Sequence, residues 1–308
     1  MNDVVQVALS LAGLILLGGV VAWLGLVALT VRTLTRPPRR SATWALAKDR
    51  PTTPAELRTP AEFSTWTFRS RGAELEAWDI KGRLSAGPTV VMTHGWGESR
   101  VMMLQEAQHV LERCARLILW DLPGHGDAGG TFTLGQLEHE DLIALVERVA
   151  SKDSPAVLMG SSLGAGVSIA AAAARPELVA GVIAEAPYCL ARTPARNVLD
   201  QSGLPWRSNL SAALGWVGWR IGTRWRGFDR AEVASRVRCP LVVVHGDLDA
   251  VCPLADGETI ARAAPKGRLA VVPGGAHLDL WSEPTFTARA LGAVDGLLSE
   301  VSGARVGP

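Results

Sequence analysis

Between Val4 and Val31 the chain runs for 28 residues without a charged side chain, and only Gln6, Ser10 and Thr30 are polar. As a helix such a run reaches about 40 Å, enough to cross a ~30 Å hydrocarbon core with tilt. A core helix seldom stays apolar on every face at this length. A secretory leader would need a basic start, a shorter apolar stretch and a nearby small-residue cleavage site. Here the chain begins Met-Asn-Asp, and the one neat Ala-x-Ala, Ala45-Leu46-Ala47, lies well past the run. Residues 1–35 therefore read as a single transmembrane anchor.

The flanks give its direction. Arg32, Arg36, Arg39, Arg40, Lys48 and Arg50 follow the run against one acid, Asp49, whereas only Asp3 precedes it. The positive-inside rule then places the start of the chain outside and the main domain in the cytoplasm, on a single pass through the cell (inner) membrane. Residues 36–60 hold Pro37, Pro38, Pro51, Pro54 and Pro60 and read as a stiff linker. Residues 61–308 form the remaining domain. A second uncharged run, Val157 to Ala174, is interrupted by Gly160, Ser161, Ser162, Gly164 and Gly166, which make a turn in its middle.

Composition narrows what that domain can be. The whole chain has 48% hydrophobic and 20% charged residues, as globular proteins do, and its net charge of +1 supplies no field to hold nucleic acid. The four cysteines, 114, 189, 239 and 252, form no Cys-x-x-Cys pair. That spacing argues against a zinc site or a disulfide framework and for a reducing compartment.

After the linker, Phe63–Phe68 and Leu75–Ile80 alternate apolar and polar residues, as a half-buried hairpin does. Short apolar runs follow, at Thr89–Thr93, Leu117–Trp120, Ala156–Met159, Val179–Ala184, Leu241–Val244 and Leu269–Val272. Helical patterns near Val101–Arg113, Leu137–Ala150, Leu163–Ala174 and Glu283–Leu298 stand among them. Continuous apolar strands between amphipathic helices indicate an α/β fold, a mostly parallel, doubly wound sheet covered on both faces. In such sheets the chemistry sits in the loops beyond the carboxyl ends of the strands.

One of these loops reads Gly160-Ser161-Ser162-Leu163-Gly164. Glycines on either side permit a sharp strand-to-helix turn that lifts the Ser162 hydroxyl above the sheet. A serine needs a base, and the base needs an orienting acid. Only two histidines follow Ser162. His245 ends a strand, while His277 stands in the loop Gly274-Gly275-Ala276-His277 and is the better base. The loop His245–Pro253 offers Asp247 and Asp249 as acids. The oxyanion would be met by two backbone amides, Leu163 after the nucleophile and Trp96 in His94-Gly95-Trp96-Gly97-Glu98-Ser99. His94 itself reads as a turn-stabilising residue.

Five pieces, HGWGES (94–99), DLPGHG (121–126), GSSLG (160–164), HGDLDAVCP (245–253) and GGAH (274–277), occur in the order and spacing of the α/β-hydrolase superfamily, which residues 61–308 resemble. The resemblance selects Asp249 over Asp247, because the family acid stands four residues after the histidine of the HG motif. LGQLEHEDLIAL (134–145), with HGWGESRVMM (94–103), is similar to membrane-anchored bacterial serine hydrolases described as esterases or as peptidase-like. Gly126-Asp127-Ala128 departs from the family's usual Gly-x-Ser in a loop that is not catalytic; Asp121 and His125 there read as turn formers. The resemblance implies an α/β-hydrolase fold with a helical lid inserted at about 188–238. It also implies a catalytic triad of Ser162, Asp249 and His277, with no metal and no organic cofactor.

The expected activity is that of a membrane-anchored carboxylesterase acting on a small-molecule or lipid-like ester. The lid carries Trp206, Trp216, Trp219 and Trp225; it reads either as packed lid core or as a surface that meets the bilayer. Two other functions fit less of the sequence. A peptidase of the same fold would use Glu98 or Glu185 for a substrate amine. A tethered binding protein would keep the shell without needing all three triad residues.

Overall fold

The apolar runs assemble into one eight-stranded sheet in a computed structural model that describes residues 2–222 and 228–303. β1 (Phe63–Ser70) and β2 (Ala73–Lys81) pair antiparallel across a tight turn at Arg71-Gly72, both at positive φ. β3 (Thr89–Thr93), β4 (Arg116–Trp120), β5 (Ala156–Ser161), β6 (Val179–Glu185), β7 (Leu241–Gly246) and β8 (Gly267–Val272) run parallel. The spatial order is β1-β2-β4-β3-β5-β6-β7-β8, with β2 joined antiparallel to β4.

Period-two alternation sorts the strand side chains onto two faces. Val91, Ile118, Leu158, Val182 and Val243 point to one cluster, and Val90, Leu117, Val157, Ile183 and Val242 to the other. The helices α1 (Asn2–Thr35), α2 (Ala42–Leu46), α3 (Leu104–Val110), α4 (Glu138–Val149) and α5 (Leu163–Ala174) come in the first half of the chain. The second half adds α6 (Arg192–Gln201), α7 (Leu210–Ile221), α8 (Arg230–Ala234), α9 (Leu254–Ala263) and α10 (Pro284–Gly303). α4, α5, α8 and α9 cover the first face through Leu142, Leu145, Val167, Val233 and Ile260; α2, α3 and α10 cover the second through Ala45, Leu104 and Val294. Both faces of the central strands are therefore dry, which is why those strands carry uninterrupted apolar runs.

Several elements depart from the sequence expectation, among them α2, a helical turn within the segment read as a linker. The helix near Val101–Arg113 begins three residues late, at α3, and ends in a 3-10 turn over Leu111–Arg113; Met102 and Met103 both donate to the Ser99 carbonyl in tight turns before it. α9 has no counterpart in the sequence reading, since Gly257 interrupts a short apolar pattern. That glycine is a packing requirement: a Cβ there would sit 2.3 Å from His245 Nδ1.

α1 is the one helix among the described residues long and apolar enough to cross a membrane. Most of its large apolar side chains up to Leu24 face outward. Its last turns do not, for Thr30 and Leu34 are buried. Residues 36–60 also lie against the body, where Ala45, Pro54 and Leu57 are buried.

The lid region holds α6, α7 and α8. α7 is split by its own periodicity: Leu210, Ala213, Leu214 and Val217 turn inward, while Trp216 and Trp219 are exposed. Trp206 donates its Nε1–H to Asp200 at 3.0 Å. Trp225 lies outside the described residues.

Candidate active site

The turn after β5 is built by close backbone approach. A Cβ on Gly160 would lie 2.2 Å from the Gly164 carbonyl oxygen, and one on Gly164 2.0 Å from that of Thr93. Only glycine lets β5, α5 and β3 come together at this point. The residue between them is forced into a strained conformation, with Ser162 at φ 52° and ψ −107°. Its N–H donates to the Glu185 carbonyl at 2.8 Å, which ties the turn to β6. Leu163 is the first residue of α5, so its amide is among those a helix start leaves unpaired.

The loops after β7 and β8 bring two more side chains to the same place. His277 Nε2 lies 3.1 Å from Ser162 Oγ, and His277 Nδ1 lies 2.7 Å from Asp249 Oδ2. Ser162, His277 and Asp249 are thus linked in one chain across three loops. The Asp249 side chain is fully buried, whereas that of His277 is 12% exposed. The other oxygen, Oδ1, accepts from the Val251 and Cys252 amides, each at 2.8 Å. Burial disfavours the charged carboxylate, but hydrogen bonds from His245 and His277 and the charge of His277 outweigh it. Asp249 is held well below the ordinary carboxylate range. Asp247 points elsewhere, accepting from the Gly274 amide at 2.6 Å.

The loop 94–99 faces this chain from β3. His94 is buried, its Nδ1 2.8 Å from the Gly95 carbonyl, and its Nε2 accepts from the Leu122 amide at 3.0 Å. Burial lowers its pKa to about 4, so the ring is a neutral brace between two loops. Within the loop, Glu98 Oε2 accepts from the Gly95 amide at 2.8 Å. Trp96 and Leu163 flank a cavity of about 290 Å³ that reaches Ser162 and His277. Its walls are mostly apolar and include Phe132, Leu134 and, from α6, Ala195 and Val198.

The remaining carboxylates are committed to structure. Glu185 accepts from Trp281 Nε1 at 2.8 Å rather than from His277, and burial pushes its pKa up, with Glu98 and Asp249 adding repulsion. Asp121 is buried and accepts from the Arg100 amide at 2.7 Å, and His125 Nδ1 lies 3.1 Å from the Pro123 carbonyl. Both belong to the turn after β4.

Of four neighbours of the site, the sequence marked only His245, as a strand-end residue and not as a support of Asp249. His245 Nε2 lies 2.9 Å from the Cys252 carbonyl and 3.4 Å from Asp249 Oδ2, so it braces the acid's loop. The spacing of four that selected Asp249 is what brings the two side chains together. Cys252 Sγ stands 3.9 Å from Ser162 Oγ. Leu34 and Arg40, from the end of α1 and just beyond, line the cavity, and nothing in their local sequence marks them. Asp249, Cys252 and His277 each offer a ligand-type atom within 4.8 Å of the others. The donor set fits a metal poorly: Asp249 and His277 are bonded to each other, and burial raises the Cys252 thiol well above its ordinary value.

A strained serine on a strand-to-helix turn, with a histidine and a buried aspartate from later loops, is the arrangement of an α/β-hydrolase-type site. A family model described as "Alpha/beta hydrolase family" matches residues 90–290, and the chain belongs to that family. It is a hydrolase. The chain is similar to the pimeloyl-[acyl-carrier protein] methyl ester esterase of Chromobacterium violaceum, 27% identical over 248 residues that span 68% of this chain and 94% of the relative. Its fold is similar to that of the esterase Pf2001 of Pyrococcus furiosus, with TM-score 0.65, 22% identity and coverage of 86% of this chain and 97% of that one. A membrane phospholipase A has the same fold at TM-score 0.58 and 19% identity, covering 93% of this chain and 98% of its own.

Proposed function

We propose that the protein is a membrane-anchored serine carboxylesterase with Ser162 as nucleophile, His277 as base and Asp249 as orienting acid. One observation carries the reading: a single hydrogen-bonded line from Ser162 Oγ through both nitrogens of His277 to Asp249 Oδ2. His277 Nε2 takes the Ser162 proton as Oγ attacks the ester carbonyl. Asp249 fixes the tautomer with Nδ1–H and balances the imidazolium charge. The Leu163 and Trp96 amides receive the oxyanion. His277 returns the proton to the leaving alkoxide, then activates a water that frees the acyl-enzyme.

An acyl group of apolar character suits the cavity walls, and the relative from Chromobacterium violaceum is by name an ester hydrolase. The long apolar stretch of α1 supports attachment to the cell membrane, and the basic residues behind it support a cytoplasmic position for the hydrolase body. The exposed Trp216 and Trp219 support contact between lid and bilayer.

The test is Ser162→Ala in the full chain, assayed with a short-chain nitrophenyl ester. Hydrolysis is expected to fall by about 10⁴-fold or more while thermal unfolding stays near wild type. A fluorophosphonate should label the wild type at Ser162 and not the variant. Full activity in Ser162→Ala would remove the mechanism.

A further inference from the structure

The anchor helix does not stop at the surface of the hydrolase body. Trp23 Nε1 donates to the Ser208 carbonyl at 3.0 Å, and Asn209 Nδ2 donates to Thr30 Oγ1 at 2.5 Å, which seats the end of α1 on the lid. The chain then crosses the loop 94–99 and touches it three times. The Leu34 carbonyl accepts from Trp96 Nε1 at 3.0 Å. Pro38 covers Gly97, where a Cβ would meet Pro38 Cδ at 3.2 Å. The Arg40 carbonyl accepts from Ser99 Oγ at 2.5 Å.

That loop needs such restraint. It carries Gly95 and Gly97, the latter at φ 73°, and glycines leave a backbone free to move. An oxyanion donor is useful only when held at hydrogen-bond distance from the developing charge, and a misplacement of about 1 Å costs on the order of a hundredfold in rate. Glu98 restrains the loop from within, through the Gly95 amide. The segment 34–40 restrains it from outside, and Leu34 and Arg40 also line the cavity that reaches Ser162.

We propose that Leu34–Arg40 is a positioning element of the active site, which clamps the loop bearing the Trp96 amide and so makes ester turnover depend on the seating of α1. This rests on the esterase reading above. Its residues act through the loop and touch no reacting atom.

The experiment uses the full chain in detergent micelles with Ser99→Ala, Trp96→Phe and the double variant. Both substitutions remove a side-chain donor to the segment and keep the backbone amides. Three quantities are read: kcat and KM for a soluble butyrate nitrophenyl ester, and Ki for a trifluoromethyl ketone that adds to serine and forms an oxyanion. The double variant is expected to lose about ten- to hundredfold in kcat with KM within about twofold, and Ki should rise in parallel. A purely structural role would lower the unfolding temperature and leave kcat and Ki of the folded protein unchanged; that result overturns the proposal. If the double variant does not fold, Ser99→Ala alone decides by the same criteria. A wild type that fluorophosphonate does not label at Ser162 would instead sink the esterase reading on which the clamp depends.

Discussion

Asp249, the proposed acid, is also a structural hub. Four donors converge on it, the amides of Val251 and Cys252 and the rings of His245 and His277. Asp249→Asn keeps the size and one acceptor oxygen but no longer favours the productive His277 tautomer. Its kcat on a soluble ester should fall about 10⁴-fold, with folding retained as read by circular dichroism. Glu185 presents the opposite case. Burial raises its pKa to about 7, and Glu98 and Asp249 add negative charge nearby. A carboxyl raised on folding leaves stability intact below its unfolded value near ~4.3. Stability is then lost as pH climbs toward about 7, because the unfolded chain releases the proton first. Glu185→Gln keeps an acceptor for Trp281 and removes that loss. Its unfolding temperature should match wild type near pH 4 and exceed it by about 3–6 °C at pH 8 in a melting series.

At the scale of elements, the turn between β5 and α5 has no slack. Gly164→Ala would drive a methyl into the Thr93 carbonyl, at 2.0 Å, where backbone cannot yield cheaply. Chemical denaturation should show a loss of about 3 kcal/mol or more, or no folded protein. α7 makes a different prediction. Replacing the exposed Trp216 and Trp219 by Ser should leave soluble-ester turnover within about twofold and cut turnover of a vesicle-borne ester about fivefold or more. The regular elements were legible because the parallel strands are short apolar runs, the β1–β2 hairpin alternates, and α4 is amphipathic; α5, an apolar helix, begins and ends where its run does. The Ser162, His277 and Asp249 loops were legible because turn glycines and chain order mark them. Leu34 and Cys252 were not. What puts them beside Ser162 is packing between segments distant in the chain, and no local pattern encodes that.

The whole molecule joins a long apolar helix to a hydrolase body without a slack tether between them. Removing residues 2–22 leaves Trp23, Thr30 and the segment 34–40 in place. Soluble-ester kcat should then stay within about twofold of the full chain, whereas removing residues 2–41 should lower it about ten- to hundredfold. Paired assays of the two truncations check this. A helix rises about 1.5 Å per residue, so Val4–Trp23 suffices for a ~30 Å hydrocarbon slab and the twelve residues from Leu24 to Thr35 add only about 18 Å. On the proposed membrane-anchored reading, that docked stretch would make Ser162 patrol a plane at constant altitude above the acyl chains, free to diffuse sideways but not to plunge. Depth would then act as a filter. Esters carried at the headgroup level come within reach, while those dissolved in the bilayer's middle must first be lifted out by the lipid itself.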